Sequence, residues 1–176
     1  LEDEDWEVRR RHLLEERSGA SKEQMDRMVD RLHQLRRSKS PALLAGVLGG
    51  KLAEGVDYPE NILDAVICIG LPLPPPSARQ DALKEYYEDA YDSARAWRYA
   101  GSQPAVNRLM QAIGRPIRKA ADRALVVLLE KRLMQRGFKI CMPEGIHAVE
   151  TVDSDRTARH TKRFFSKYPD PARHSE

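Results

Sequence analysis

Three continuous apolar runs constrain the fold of this chain more than any other feature. They are ALLAGVLG (42–49), AVICIGLP (65–72) and ALVVLLE (124–130). A strand with one face in water alternates apolar and polar residues, whereas a parallel strand covered on both faces is apolar throughout. Two helical patterns, roughly 78–99 and 104–113, separate the second run from the third. The order predicts an α/β domain whose adjacent parallel strands are flanked by helices, with a helical insertion at 78–113.

A further helix is predicted before the first run, in SKEQMDRMVDRLHQLRRSKSP. Ser21 is a suitable N-cap, and Pro41 closes the segment. One helical face would carry the apolar positions Met25, Met28, Val29, Leu32 and Leu35. A shorter apolar piece, FKICMP (138–143), predicts an additional edge strand.

Composition excludes several classes of protein. Thirty basic and twenty-seven acidic residues give a net charge of +3, so any nucleic-acid surface depends on the arrangement of charges. Cys68 and Cys141 lie in apolar runs and predict buried thiols in a reducing compartment, without a zinc or iron–sulfur site. No run reaches the roughly 20 apolar residues of a membrane span. We expect a soluble intracellular chain, cut from a longer protein because it begins abruptly with LEDEDWE.

A glycine-rich turn, GVLGGKLAEGVDYPE (46–60), follows the first apolar run. Glycine and lysine after a strand suggest a phosphate-binding loop, but the pattern needs glycine at Ala45 and a hydroxyl at Leu52. The turn therefore does not predict a nucleotide loop. It presents Lys51 and two carboxylates, those of Glu54 and Asp57, and an ordinary solvated turn remains the competing interpretation.

The stretch MQAIGRPIRK (110–119) places two arginines three residues apart. Gly114 ends a helical segment, and a new turn from Pro116 would put Arg115 and Arg118 on one helical face. Two guanidinium groups so placed repel each other, which favours an anion such as phosphate between them. The alternative is an ordinary surface pair neutralised by Glu54, Asp57 or Asp122.

Three stretches in this order, GGKLAEGVDYPE, VICIGLPLPPPS and QAIGRPIRKAADRALVVLLEKR, resemble the second RecA-like motor domain of superfamily 2 DNA helicases of the XPD/DinG type. The first is similar to motif V of that family and the last to motif VI. The similarity covers about residues 21–141, with Pro116 standing where many family members carry alanine or leucine. It implies a RecA-like fold and, in a whole protein, ATP-driven 5′-to-3′ movement along single-stranded DNA.

The resemblance also implies roles for individual residues. Arg115 and Arg118 would face the nucleotide between two motor domains, one of them as arginine finger, and Gln111 would help to order them. Lys51 would contact the DNA backbone. The nucleotide-binding positions implied are Glu54, Gly55, Asp57 and Gly114.

The same resemblance implies cofactors and partners. ATP and Mg²⁺ would act in the full-length protein, and an iron–sulfur cluster could lie in a first motor domain absent from this chain. The partners would be single-stranded DNA and that first motor domain, with no membrane, in a cytoplasmic, prokaryotic and archaeal-like setting. Residues 1–176 would then be a C-terminal RecA-like domain. The competing hypothesis is a non-catalytic module that binds nucleic acid or protein through a helicase-like fold.

Two segments keep open interpretations. The aromatic stripe within 78–99 predicts packing against the sheet, or base stacking in which Tyr86 and Arg98 bind DNA. The segment 151–176 predicts a basic helix or tail. Its aromatic side would dock on its own domain or on the first motor domain, with DNA binding as the alternative.

Overall fold

The computed structural model describes residues 12–169. Its strands are Leu13–Glu15 (β1), Leu43–Ala45 (β2), Ala65–Ile69 (β3) and Leu125–Leu129 (β4). Its α-helices are Lys22–Arg37 (α1), Lys51–Glu54 (α2), Ala78–Ala90 (α3), Ser93–Trp97 (α4), Gln103–Ile113 (α5), Arg136–Lys139 (α6) and Ser154–Lys167 (α7). Short 3₁₀ turns span Pro59–Asn61 and Lys131–Met134, and a π-helical turn spans Arg98–Ser102.

The strands form two separate parallel pairs. β1 pairs with β2, Leu13 opposite Leu43, and β3 pairs with β4 from Ala65 opposite Leu125 to Ile69 opposite Leu129. The predicted α/β class is confirmed. The expectation that the three apolar runs would be adjacent strands is wrong, because β2 takes its partner from the charged segment before α1.

One face of the β3–β4 pair is open among the described residues. Along β3 the side chains alternate: Cys68 is buried against α5, whereas Ile67 and Ile69 are 58% and 75% exposed. A continuous apolar run predicted burial of both faces, and here only one face is covered by helices.

Two apolar clusters hold the domain together. The first joins α1 to the segment 52–62 through residues that include Met25, Leu32, Leu52 and Tyr58. The second joins β3 to α5 and to the segment 133–141. Leu52 belongs to the first cluster and the neighbouring Ala53 packs against the second, so α2 lies where the two clusters meet.

Helix α1 confirms its prediction. The Ser21 hydroxyl accepts a hydrogen bond from the Gln24 backbone amide at 3.2 Å, and the Gln24 side chain accepts one from the Ser21 amide at 2.7 Å. This reciprocal capping box fixes the start of the helix. Four of the five predicted apolar positions are buried, and Met28 packs at the edge of the cluster.

The segment FKICMP is not an edge strand. It continues α6 and turns back, with Phe138 and Cys141 buried in the second cluster. These two residues lie three apart, a helical spacing, and the expectation of a strand overlooked it.

The helical insertion breaks at a different place from the one predicted. Tyr91 adopts an extended backbone, and Asp92 caps α4 by accepting a hydrogen bond from the Arg95 amide at 2.9 Å. From Ser93 to Ile113 the chain stays helical through the π turn, so Pro104 does not start a separate helix. Proline has no amide hydrogen for the carbonyl four residues earlier, that of Ala100. The Gln80 side chain donates to this buried carbonyl instead and ties α3 to the π turn.

Replacing Gln80 tests this substitute hydrogen bond. We expect Gln80→Leu to lower the free energy of unfolding by about 1–2 kcal/mol, because it leaves the Ala100 carbonyl buried without a donor. In a Pro104→Ala background the restored amide can occupy the carbonyl, so the same change should cost clearly less. Urea titration of the four proteins in this double-mutant cycle measures the coupling. Equal costs in both backgrounds would contradict the assignment.

Candidate nucleotide-facing site

The Glu16 carboxylate organises the glycine-rich turn after β2. It accepts hydrogen bonds from the backbone amides of Val47 at 3.0 Å and Lys51 at 2.8 Å. Lys51 is the first residue of α2, so the carboxylate occupies the position that an external anion would take at a phosphate loop. This agrees with the sequence analysis, which did not predict a nucleotide loop here, because Glu16 already binds the amides that a phosphate would need.

The glycines of this turn make room for Glu16. A β-carbon on Gly50 would lie 2.7 Å from one Glu16 carboxylate oxygen and 2.8 Å from the Val47 carbonyl, closer than such atoms approach. A β-carbon on Gly46 would lie 3.0 Å from the same carboxylate. The turn therefore requires glycine at position 50 for space.

Arg115 is bound entirely to backbone carbonyls. Its guanidinium donates to Ala53 at 2.7 Å, to Val56 at 3.4 Å and also to Glu54. These carbonyls lie at the carboxyl end of α2 and just beyond it, where unpaired oxygens attract a cation. Arg115 therefore fastens the turn after α5 to the segment between the two apolar clusters.

Arg118 has a different environment. Its guanidinium makes one ion pair, 2.5 Å from the Asp57 carboxylate, and the two side chains are 40% and 79% exposed. Its backbone amide and that of Lys119 donate to the Asp122 carboxylate, both at 2.7 Å. These hydrogen bonds, that from Arg118 first, lower the pKa of Asp122. The loop is thus held by its backbone, and the Arg118 side chain is partly exposed and paired with one exposed carboxylate.

The two predicted halves of the site are in contact, but their geometry differs from the prediction. Residues 114–116 form a turn, so Arg115 and Arg118 do not share a helical face, and their guanidinium groups bind different partners. They meet motif V residues on the segments that lead into the amino ends of β3 and β4.

Asn61 is a second support that the sequence did not reveal. With the amide turned so that its nitrogen faces the loop, the Asn61 side chain donates to the carbonyls of Pro116 at 3.2 Å and Arg123 at 2.9 Å, which links the segment before β3 to the arginine loop. Asn61 and Glu60 both adopt positive φ, 51° and 60°. Asparagine tolerates this backbone conformation better than most residues. No local pattern could have found Asn61 or Glu16, because their partners are more than 30 residues away.

Other predicted site residues occupy varied positions. Gly114 and Gly55 end α5 and α2, and a β-carbon on either would lie 3.2 Å from a carbonyl of its own helix. Gln111 is exposed and forms no side-chain hydrogen bond within residues 12–169.

The Lys51 ammonium donates to the Ala20 carbonyl. Tyr58, in the same segment, is buried and donates to the Leu52 carbonyl at 3.0 Å; burial, with Glu16 second, raises the pKa of Tyr58 to about 12.

Of the three residues predicted to bind DNA, Tyr86 and Arg98 differ in exposure. Tyr86 is 68% exposed and its ring contacts Tyr87, while α3 has no buried residue, so packing of this stripe against the sheet is wrong. Arg98 is half-buried: it donates to the Ile140 carbonyl at 3.4 Å and lies 6.0 Å from the ring centre of Tyr99.

Comparison with known proteins identifies the family. A family model described as the helicase C-terminal domain matches residues 2–148. The chain belongs to this family. The resemblance to XPD/DinG-type superfamily 2 helicases is therefore confirmed.

Several curated relatives cover most of the chain. The "Regulator of telomere elongation helicase 1 homolog" of Caenorhabditis briggsae is 32% identical over 72% of this chain and 13% of its own length. The "Fanconi anemia group J protein homolog" of Gallus gallus is 32% identical over 68% of this chain and 10% of its own. The human "Putative ATP-dependent DNA helicase DDX11-like protein 8" is 30% identical over 80% and 16%. This helicase C-terminal domain thus spans a small part of each relative.

These relatives correct one expectation. They come from a nematode, a bird and human, so the predicted cytoplasmic, prokaryotic and archaeal-like setting is contradicted. Within residues 12–169, no helix is long and apolar enough to cross a membrane. In the same range no group of three metal-binding side chains is found, and Cys68 and Cys141 are buried free thiols, as predicted.

Gly50→Ala tests the fit around Glu16. The added methyl group must displace the Glu16 carboxylate from its two amide donors, so we expect a loss of about 1–3 kcal/mol in the free energy of unfolding. Gly137→Ala is the matched control, because a β-carbon there meets no atom within 4 Å. Thermal denaturation should separate the two variants; equal stability would contradict the arrangement.

The two arginines should differ in their effect on folding. Arg115→Ala removes charge-assisted hydrogen bonds to three carbonyls, so we expect it to lower the free energy of unfolding by about 2 kcal/mol or more. Arg118→Ala removes one exposed ion pair and should cost less than about 1 kcal/mol. Chemical denaturation of both variants measures the difference, and an equal cost would show that Arg118 is also a structural anchor.

Proposed function

We propose that this helicase C-terminal domain is the second motor domain of an ATP-dependent 5′-to-3′ DNA helicase, with Arg118 as its arginine finger. The observation that carries the proposal is the unequal use of the two motif VI arginines. Arg115 is committed to backbone carbonyls, whereas the Arg118 guanidinium is exposed and bound to one exposed carboxylate.

The ion pair of Arg118 suits a side chain that changes partners. Exposed ion pairs contribute little net stability, since solvent competes with both charges. A phosphoryl group carries more charge than a carboxylate and presents several oxygens to the planar guanidinium fork. Asp57 would hold Arg118 in a resting position, and a nucleotide in the cleft between the two motor domains would replace Asp57 as its partner.

Arg115 acts as a positioning residue in this proposal. By fastening the turn after α5 to the carbonyls of 53–56, it fixes where the loop carrying Arg118 leaves the domain. Gln111 lies one turn earlier, on the exposed side of α5, and stays a candidate contact to the nucleotide. Glu54, Gly55 and Gly114 shape the two facing segments, and we assign them to the nucleotide side of the cleft.

The remaining nucleotide chemistry belongs to a first motor domain in the proposed full-length protein. ATP with Mg²⁺ supplies the phosphoryl group that is transferred to water. In residues 12–169 the glycine turn is filled by Glu16, and no cluster of acidic side chains suits a metal ion. We assign phosphate and Mg²⁺ binding to that first domain. An iron–sulfur cluster would also lie there, because the two thiols of this chain are buried.

Single-stranded DNA is the proposed nucleic acid along which the full-length helicase moves. The relatives include proteins named as DNA helicases, and motif V lies directly beside the arginine loop. Lys51 is the proposed phosphate contact, since its ammonium donates to only one carbonyl and has further N–H donors for a phosphate. Tyr86 offers an exposed ring for base stacking, and Arg98, already half-buried, would contribute through the Tyr99 ring beside it.

In the full-length helicase, Arg118→Ala should reduce DNA-stimulated ATP turnover by about 10³-fold or more, the effect attributed to arginine fingers. Arg118→Lys should not restore it, because an ammonium lacks the planar fork. Binding to single-stranded DNA should change little. Lys51→Ala is the contrasting variant: it should weaken DNA binding and reduce the salt dependence by about one phosphate contact. The measurements are steady-state ATPase rates and fluorescence anisotropy.

Two results would contradict the proposal. Near wild-type turnover in Arg118→Ala would favour a non-catalytic binding module in which the arginine pair is structural. Steady ATP hydrolysis by the 176-residue chain alone, abolished by Arg118→Ala, would show that this chain has a complete ATP-hydrolysis site of its own.

A further inference from the structure

Helix α7 lies beyond the residues that match the helicase C-terminal domain model, which end at 148. It is a well-formed helix in its own right. Asp153 caps it by accepting a hydrogen bond from the Arg156 amide at 2.6 Å, and Thr161 donates to the Thr157 carbonyl at 2.9 Å. Neither the arginine pair nor the glycine turn involves it, so its role lies outside the proposed nucleotide site.

Four of the five Lys and Arg residues of α7 lie on one side of the helix, and Lys162 lies outside that arc. At 3.6 residues per turn, Arg156, Arg159, Arg163 and Lys167 fall within about 80° of arc around the helix axis. All four are exposed, and none forms an ion pair with a carboxylate in residues 12–169. With a rise of 1.5 Å per residue, the row is about 16 Å long. We call it the α7 basic face.

This arrangement is unfavourable for the isolated helix. Arg159 and Arg163, and then Arg163 and Lys167, are like charges four residues apart, each pair costing a few tenths of a kcal/mol. Helix α1 shows the contrast as far as Arg31, because its basic residues there alternate with acidic ones. Along that part of α1 the charges are Lys22, Glu23, Asp26, Arg27, Asp30 and Arg31, and Arg36 and Arg37 follow in the last turn. Asp155 is the only acidic residue within α7.

We propose that the α7 basic face binds the phosphate backbone of nucleic acid. One strand of a duplex carries a charge every 3.4 Å along the axis, so a row of about 16 Å faces about five phosphates. Four cations in a row on one helix can each contact a phosphate of the nucleic-acid backbone. A single acidic side chain of a protein would neutralise only one of them. The contact reads no base sequence, since backbone contacts position a protein without specifying sequence.

The opposite side of α7 argues against a membrane surface. Phe164 and Phe165 are half-buried, with ring centres 5.2 Å apart, and Tyr168 packs on Phe164 at 5.4 Å. Helices that lie in a bilayer need an apolar face free to insert. Here the basic side is exposed and the aromatic side is partly covered. The choice of nucleic acid among polyanions rests on the proposed helicase function.

The test uses the 176-residue chain without ATP. The variant carries Arg159→Ala, Arg163→Ala and Lys167→Ala. The matched control carries Lys22→Ala, Arg27→Ala and Arg31→Ala and loses the same charge from α1. Anisotropy of a fluorescein-labelled mixed-sequence single strand is measured against salt concentration, with circular dichroism to verify that α7 remains helical. We expect the α7 variant to bind at least about tenfold more weakly at low salt, with a slope smaller by about 2. The α1 control should stay close to wild type.

Three outcomes would overturn the inference. The first is equal binding by the α7 variant and the α1 control. The second is displacement of the DNA by poly-glutamate at equal charge concentration, which would indicate an acidic protein as ligand. The third is loss of binding to anionic lipid vesicles in the α7 variant without any loss of DNA binding. Because neither ATP nor a first motor domain is present, failure here leaves the Arg118 experiment unaffected, and the reverse also holds.

Discussion

The Arg115 guanidinium is the interaction on which the candidate site depends. It joins the turn after α5 to three carbonyls at the end of α2, and α2 lies where the two apolar clusters meet. These carbonyls have no partner within their own helix, so a planar cation with several donors satisfies them together. Everything that follows Arg115 in the loop, including Arg118, takes its position from this attachment.

A carboxylate and an amide complete the support. Glu16 fills the glycine turn at the start of α2, and Asn61 ties the arginine loop to the segment before β3. Both form hydrogen bonds to backbone groups that would otherwise be left without partners, as Arg115 also does. The result is a rigid frame in which one guanidinium, that of Arg118, remains exposed. A frame of this kind suits catalysis by positioning and charge stabilisation, as in phosphoryl transfer.

Sequence reasoning succeeded where a pattern is local or where motifs were recognised together. The Ser21 cap and the apolar face of α1 were predicted, as were the parallel β3 and β4, and three motifs together identified the helicase family. It failed where the outcome depends on distant partners. The pairing of β2 with β1 and the open face of β3 follow from packing that a single run of residues does not encode. The helical turn at Phe138 is different, because its spacing is local and the expectation of a strand overlooked it.

The sequence by itself determined that Arg115 and Arg118 belong to one helicase motif, because their spacing and neighbours are written in the chain. Only the tertiary structure decided that they bind different partners. The backbone turn at 114–116 brings Arg115 to the backbone carbonyls of 53–56 and leaves Arg118 paired with the exposed Asp57 carboxylate. The physical reason is that the partners of an arginine lie 59 to 62 residues away along the chain, and their positions are set by the packing of α2 between the two clusters.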